Sequence, residues 1–181
     1  MSARHRILLL ASFLLAGLAS SAPVHAQRLA RPDSAFAFLL GTWAGEARPV
    51  TREGELRIYQ TETVRVVASG EGIAVEGGGY ALENGIPGAK PVFSAFGVIR
   101  RTPSGYRIQA VTHEGRYTDA AVDLKPGGFD WYFDVPGGKV RFEMRIDEQG
   151  RWHETGAFSP DGQRWMPTID MRLTRTAPFA P

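Results

Sequence analysis

The sequence predicts an all-β fold, an antiparallel up-and-down β-barrel of about ten strands behind a short N-terminal helical turn. Three observations lead there. Apolar and polar residues alternate with period two along most of the chain, the pattern of strands with one buried face. Glycine-bearing turns recur at Gly105, Gly115, Gly127, Gly138, Gly150 and Gly162, in steps of 10, 12, 11, 12 and 12 residues. The only helical pattern in the domain is too short to cover a sheet, so the sheet must cover itself.

The N-terminus reads as a secretory signal. Arg4 and Arg6 form a basic start, Ile7 to Ala19 is an apolar run, and Val24-His25-Ala26 places small residues where a signal peptidase cuts. The run is shorter than the roughly 20 apolar residues needed to span a bilayer. Cleavage before Gln27 leaves 155 of the 181 residues, a length suited to one domain over 27–181. The expected location is the periplasm or the extracellular space, with no transmembrane segment after cleavage. The chain has no cysteine, which excludes lipid attachment, disulfides and a thiol nucleophile.

Residues 27–32 read as a leader. Asp33 or Ser34 can cap a helical turn over 35–40, which Gly41 ends. The alternation is complete in Val140-Arg141-Phe142-Glu143-Met144-Arg145-Ile146-Asp147 and nearly so in Phe129-Asp130-Trp131-Tyr132-Phe133-Asp134-Val135. Residues 61–68, 92–100, 105–113 and 164–174 read as further strands, and 85–91 as one longer loop at the barrel mouth. Links this short join antiparallel neighbours, because a parallel crossover needs a dozen or more residues. A sheet of about ten strands with one apolar face and no long helix is best covered by closing on itself, which also removes its edges. A two-sheet sandwich is the alternative.

Charge narrows the function. Removing Arg4 and Arg6 from 21 basic side chains leaves 19, equal to the 19 acidic ones. A neutral mature chain lacks the cation surplus that nucleic-acid binding rests on.

Phe38-Leu39-Leu40-Gly41-Thr42-Trp43-Ala44-Gly45-Glu46 resembles the opening of lipocalin-like barrels, in which a short helix leads into Gly-x-Trp and the Trp plugs one end. Glu62-Thr63-Val64-Arg65, Phe93-Ser94-Ala95-Phe96-Gly97, Gly150-Arg151-Trp152-His153-Glu154-Thr155-Gly156, Ser159-Pro160-Asp161-Gly162 and Met171-Arg172-Leu173-Thr174-Arg175 resemble a group of bacterial lipocalin-like domains of unknown function. The haem-binding nitrobindins open similarly. That resemblance implies an axial His on the last strands, where this sequence has Met171-Arg172-Leu173-Thr174-Arg175. After cleavage only His113 and His153 remain, so no cofactor is expected.

Candidate chemistry concentrates on inward carboxylates. Trp152, Glu154 and Phe158 share one strand face, leaving His153 on the other. A carboxyl inside a barrel is costly unless paired or hydrated. It is a ligand anchor, a general acid with a raised pKa, or a group satisfied by an internal Arg or water. Glu62 shares a face with Val64 and Val66 and is a second inward candidate. His113 and His153 lack the three-ligand array of catalytic zinc, so no metal site is expected. Gly77-Gly78-Gly79 marks a bulge, a bend or a close approach of a ligand.

Three functions follow. The first is a binding module, by analogy of fold. Its partner is a small apolar or amphipathic molecule in a lumen lined or floored by Trp131, Phe133, Phe142, Met144, Trp152 and Glu154, with Glu62. The second is an isomerase or hydrolase using Glu154 and Glu62 as acid and base. The third is a cell-envelope interaction module whose barrel is packed solid. No residue is assigned as catalytic from sequence.

Overall fold

A computed structural model of the chain describes residues 34–178. The signal segment, the leader and the Asp33 cap lie outside those residues. The chain opens with a 3-10 helix, Ser34–Leu39. Eleven strands follow: β1 (Gly41–Thr51), β2 (Gly54–Glu55), β3 (Ile58–Val67), β4 (Gly72–Glu83), β5 (Ile86–Thr102), β6 (Gly105–Thr112), β7 (Tyr117–Lys125), β8 (Gly128–Val135), β9 (Gly138–Ile146), β10 (Trp152–Ser159) and β11 (Met166–Pro178). Every pairing is antiparallel. From β3 onward each strand pairs with the next, and β1 pairs with both β3 and β11. Ten strands thereby close into an up-and-down barrel, as the hairpin series predicts. The two-residue β2 only folds back on the tip of β1.

Closure brings β1 and β11 close together, and Gly45 lies at the seam. A Cβ there would sit 2.1 Å from the Arg172 carbonyl oxygen, so only glycine lets the strands approach.

Two local expectations are corrected. Of the 85–91 stretch, 86–91 is strand, not loop. Asn84 and Gly85 take φ of 53° and 82°, the pair of positive values a two-residue hairpin turn needs. Ile86 and Pro87 then pair back onto Glu83 and Leu82. The hairpin stands at the mouth, where β4–β5 pairing slips in register around Tyr80. Exposed Pro87 and Pro91 sit in this irregular part, where missing N–H groups are tolerated. At the β8–β9 turn, Gly137 carries the positive φ of 85°, not Gly138. Gly138 is already in β9, where a Cβ would sit 2.3 Å from the Ser159 carbonyl oxygen.

The inward faces differ between the two ends. At one end, Trp43, Val64, Ile73, Ile99, Phe129, Met144, Trp152 and Leu173 are fully buried. The 3-10 helix lies across this end and presents Phe36 edge-on to Tyr106 and Phe129, with ring centroids 5.0 and 5.7 Å apart. The Trp43 indole N–H donates to the Leu39 carbonyl at 2.7 Å. Arg175 lies over the Trp43 ring, 4.1 Å from its centroid, and donates to the carbonyls of Leu40 and Phe38. One arginine thus satisfies helix-end carbonyls that would otherwise lack partners, and supplies a cation–π contact. This end is plugged.

The outward positions carry the charge. Arg107 pairs with Asp119 at 2.6 Å, Arg141 with Glu143 at 3.0 Å and Arg145 with Asp130 at 2.6 Å. Among the described residues no helix is long and apolar enough to cross a membrane.

Candidate functional site

The other end of the lumen is lined by side chains that point inward yet keep partial exposure. Trp131 and Phe133 come from β8 and Phe142 from β9, and each is half-buried. The register pairs Trp131 with Phe142 and Phe133 with Val140. Cross-strand aromatic pairs of this kind stabilise a sheet locally. The three rings are nearly parallel. Trp131 and Phe142 stack at 4.4 Å and 13°, and Trp131 and Phe133 at 5.4 Å and 22°. The result is a flat apolar wall inside the barrel. Ala95, Ala110, Thr112, Thr118, Phe158 and Ile169, also inward by register, are half-buried as well. The inward side chains at 95 and 110, on β5 and β6, are small.

Two carboxyls face this lumen. Even-numbered residues of β3 point inward, so Ile58, Gln60, Glu62 and Val64 form one buried row. A glutamate fits there because of β4, where Gly77 pairs with Glu62 and Gly79 with Gln60. A Cβ at Gly77 would lie 2.6 and 2.8 Å from the Glu62 carboxyl oxygens, and one at Gly79 would lie 2.9 Å from Gln60 Oε1. The glycine run is therefore a recess for two polar side chains, and its end coincides with the register slip at Tyr80. Gln60 Nε2 donates to Glu62 Oε1 at 2.8 Å.

Glu154 on β10 is flanked by Met144 of β9 and Met171 of β11. The Trp152 indole N–H donates to Glu154 Oε2 at 3.1 Å. Burial pushes the Glu62 carboxyl up to about 8; the Gln60 hydrogen bond opposes this, and the charge of Glu154 adds to it. Burial pushes Glu154 up to about 7, against the hydrogen bond from Trp152. The two carboxyls thus lie within electrostatic reach of one another, on strands β3 and β10 that do not touch in the sheet. Near neutral pH the pair holds protons that ordinary carboxylates would have lost.

The sequence-predicted residues divide by depth. Trp131, Phe133 and Phe142 form the accessible wall. Met144 and Trp152 are fully buried and form the floor, with Trp152 edge-on to Trp43 at 5.8 Å. Glu62 and Glu154 lie between. His153 points outward, with its Nε2 3.5 Å from Asp170 Oδ1. His113 is exposed beyond β6, where its Nδ1 accepts from the Ser94 N–H at 3.2 Å and its ring meets Phe93. Among the described residues no three metal-ligating side chains cluster. Sequence reasoning missed Gln60, although it has the same parity as Glu62. It also missed the Gly77–Glu62 match, which no window of sequence contains. A concavity of about 490 Å³ lies by the β4–β5 hairpin, lined by Gly45, Glu46, Arg57, Ile58, Tyr59 and Leu82. Its Glu46 is already paired with Arg48 and Arg57, and their hydrogen bonds hold its carboxyl down to about 2.

No family model matches the sequence, and no curated protein matches it. Among solved structures the chain is similar to Rv2717c from M. tuberculosis, at 15% identity and a TM-score of 0.59. The match covers 80% of this chain and 99% of that one. At that identity the likeness concerns the fold.

Proposed function

We propose that this barrel binds a small amphipathic molecule. The observation that carries the reading is the contrast within one lumen. A plugged, fully buried end meets a half-exposed wall of parallel rings, with two carboxyls at the boundary that no cation pairs among the described residues. Apolar pockets with a few convergent polar groups are the usual form of small-molecule sites. The ligand's apolar body would lie along Trp131, Phe133 and Phe142, and its polar end would reach Glu154 and Glu62. Trp43 under Arg175 behind Gly41 supports grouping the chain with lipocalin-like barrels. Export with cleavage before Gln27 belongs to the same proposal, and N-terminal sequencing of the protein from its host tests it.

Native mass spectrometry of host-purified protein tests binding. A discrete extra mass, lost on denaturation, is expected. The neutral probe N-phenyl-1-naphthylamine should also brighten with the wild type and not with Ala110→Trp, which puts a large ring into the lumen from β6. Equal brightening in both would place the probe elsewhere and sink the reading.

The paired carboxyls support a second reading, acid–base catalysis. Groups titrating near 7 and 8 are suited to proton transfer at neutral pH. A bell-shaped rate profile lost in both Glu62→Gln and Glu154→Gln is its signature.

A further inference from the structure

Glu62 is a buried carboxyl and Glu154 a half-buried one, and both lack a cation among the described residues. Glu62 is 8% exposed and aimed into the lumen. Gln60 occupies its Oε1 and Trp152 occupies Glu154 Oε2. Glu62 Oε2 and Glu154 Oε1 have no hydrogen-bond partner among the described residues. The strands around the two carboxyls contribute Trp43 from β1, Gly77 from β4, Met144 from β9 and Met171 from β11, none of which titrates. No cation acts on either carboxyl among the described residues. Arg175, the arginine of the plug, is held by the Trp43 ring and two helix-end carbonyls. The other buried acid among the described residues, Asp130, is paired with Arg145.

Resting on the reading of the lumen as a ligand site, we propose that the ligand is an amphipathic amine, its cationic nitrogen taken between Glu62 and Glu154 and its apolar body laid along Trp131, Phe133 and Phe142. The missing partner of a buried carboxylate pair is a cation. The two built-in donors, Gln60 and Trp152, already favour the ionised carboxyls. The faces of the stacked rings attract a cation on its way in. A carboxylate ligand would instead be repelled by whichever of the two carboxyls is ionised, and would neutralise neither. An alcohol would gain hydrogen bonds without neutralising either group.

Isothermal titration of the purified protein with n-octylamine, 1-octanol and octanoate tests this, at pH 7 in two buffers of different ionisation enthalpy. Octylamine is expected to bind at least tenfold more tightly than octanol. It should do so with net proton release, because the ammonium stays charged while the carboxyls ionise. Glu62→Gln and Glu154→Gln, isosteric and checked for folding by circular dichroism, should abolish that preference and keep octanol binding. Octanol or octanoate binding as tightly as octylamine, or amine binding without proton release, overturns the amine assignment and leaves the ligand-site reading standing. Binding of none of the three overturns both.

Discussion

The two ends of the barrel are built from the same alternating strands and do different things with them. At the plugged end, Trp43 is completely buried, its N–H is satisfied by Leu39, and Arg175 seals its outer face. At the open end, Trp131 is just as aromatic and just as inward, yet it stacks on two rings and remains half-exposed. The plug has a helix laid across it and the mouth has none. A tryptophan stabilises in proportion to the area it loses to water, so one end of the lumen is devoted to stability and the other keeps its aromatic surface half-open.

Truncation should separate the ends most. Trp43→Ala leaves a large cavity and an unsatisfied Leu39 carbonyl, and should cost roughly 3–5 kcal/mol in urea unfolding. Trp131→Ala should cost about half of that or less, since its ring is already partly in water. Equal losses would erase the distinction between plug and wall.

Protons give the next effect. Glu62 and Glu154 titrate higher in the fold than the ordinary 4.5. The native state therefore keeps protons that the unfolded chain releases above that pH. Their contribution is fully present below about pH 4.5 and is lost as pH rises toward 8. The fall should be read as a urea midpoint that declines across that pH range. Glu62→Gln and Glu154→Gln should flatten it. Glu46, held down by Arg57 and Arg48, acts in the opposite sense: its contribution is lost only as pH falls from about 4.5 toward 2.

Gly77→Ala probes the boundary between the ends. Its Cβ would push the Glu62 carboxyl off Gln60, at a cost of about 1–2 kcal/mol. Glu62→Ala in the same chain should remove most of that cost, and a simple sum of the two losses would mean the glycine serves the backbone alone.

On the outer surface the effect should nearly vanish. Arg57→Ala removes an exposed partner of Glu46 and should leave the urea midpoint essentially unchanged. A larger loss would show that the rim, and not only the plug, holds the barrel together.

Much of this is legible in the sequence. The alternation in 140–147 assigned Phe142 and Met144 to one face, and the parity of Trp152 and Glu154 sent His153 outward. Turn glycines spaced 10 to 12 residues apart dictated consecutive antiparallel hairpins, since no other connection is that short. These are statements about neighbours in the chain, where backbone geometry is local. The misreadings were local too. Asn84-Gly85 is a hairpin turn that was hidden by the prolines after it.

Other features depended on residues far apart in sequence. Thr176 donates to the Thr42 carbonyl across 134 residues at the closing seam. No stretch of sequence reveals that Gly77 leaves space for Glu62, or that Glu62 and Glu154 share one lumen. Nor does it show which tryptophan is sealed and which is left half-open. Composition and periodicity determined that the chain makes hairpins with an apolar side. Only closure of the sheet, by fixing the register of strands that are not neighbours in the chain, decided which side chains meet inside it.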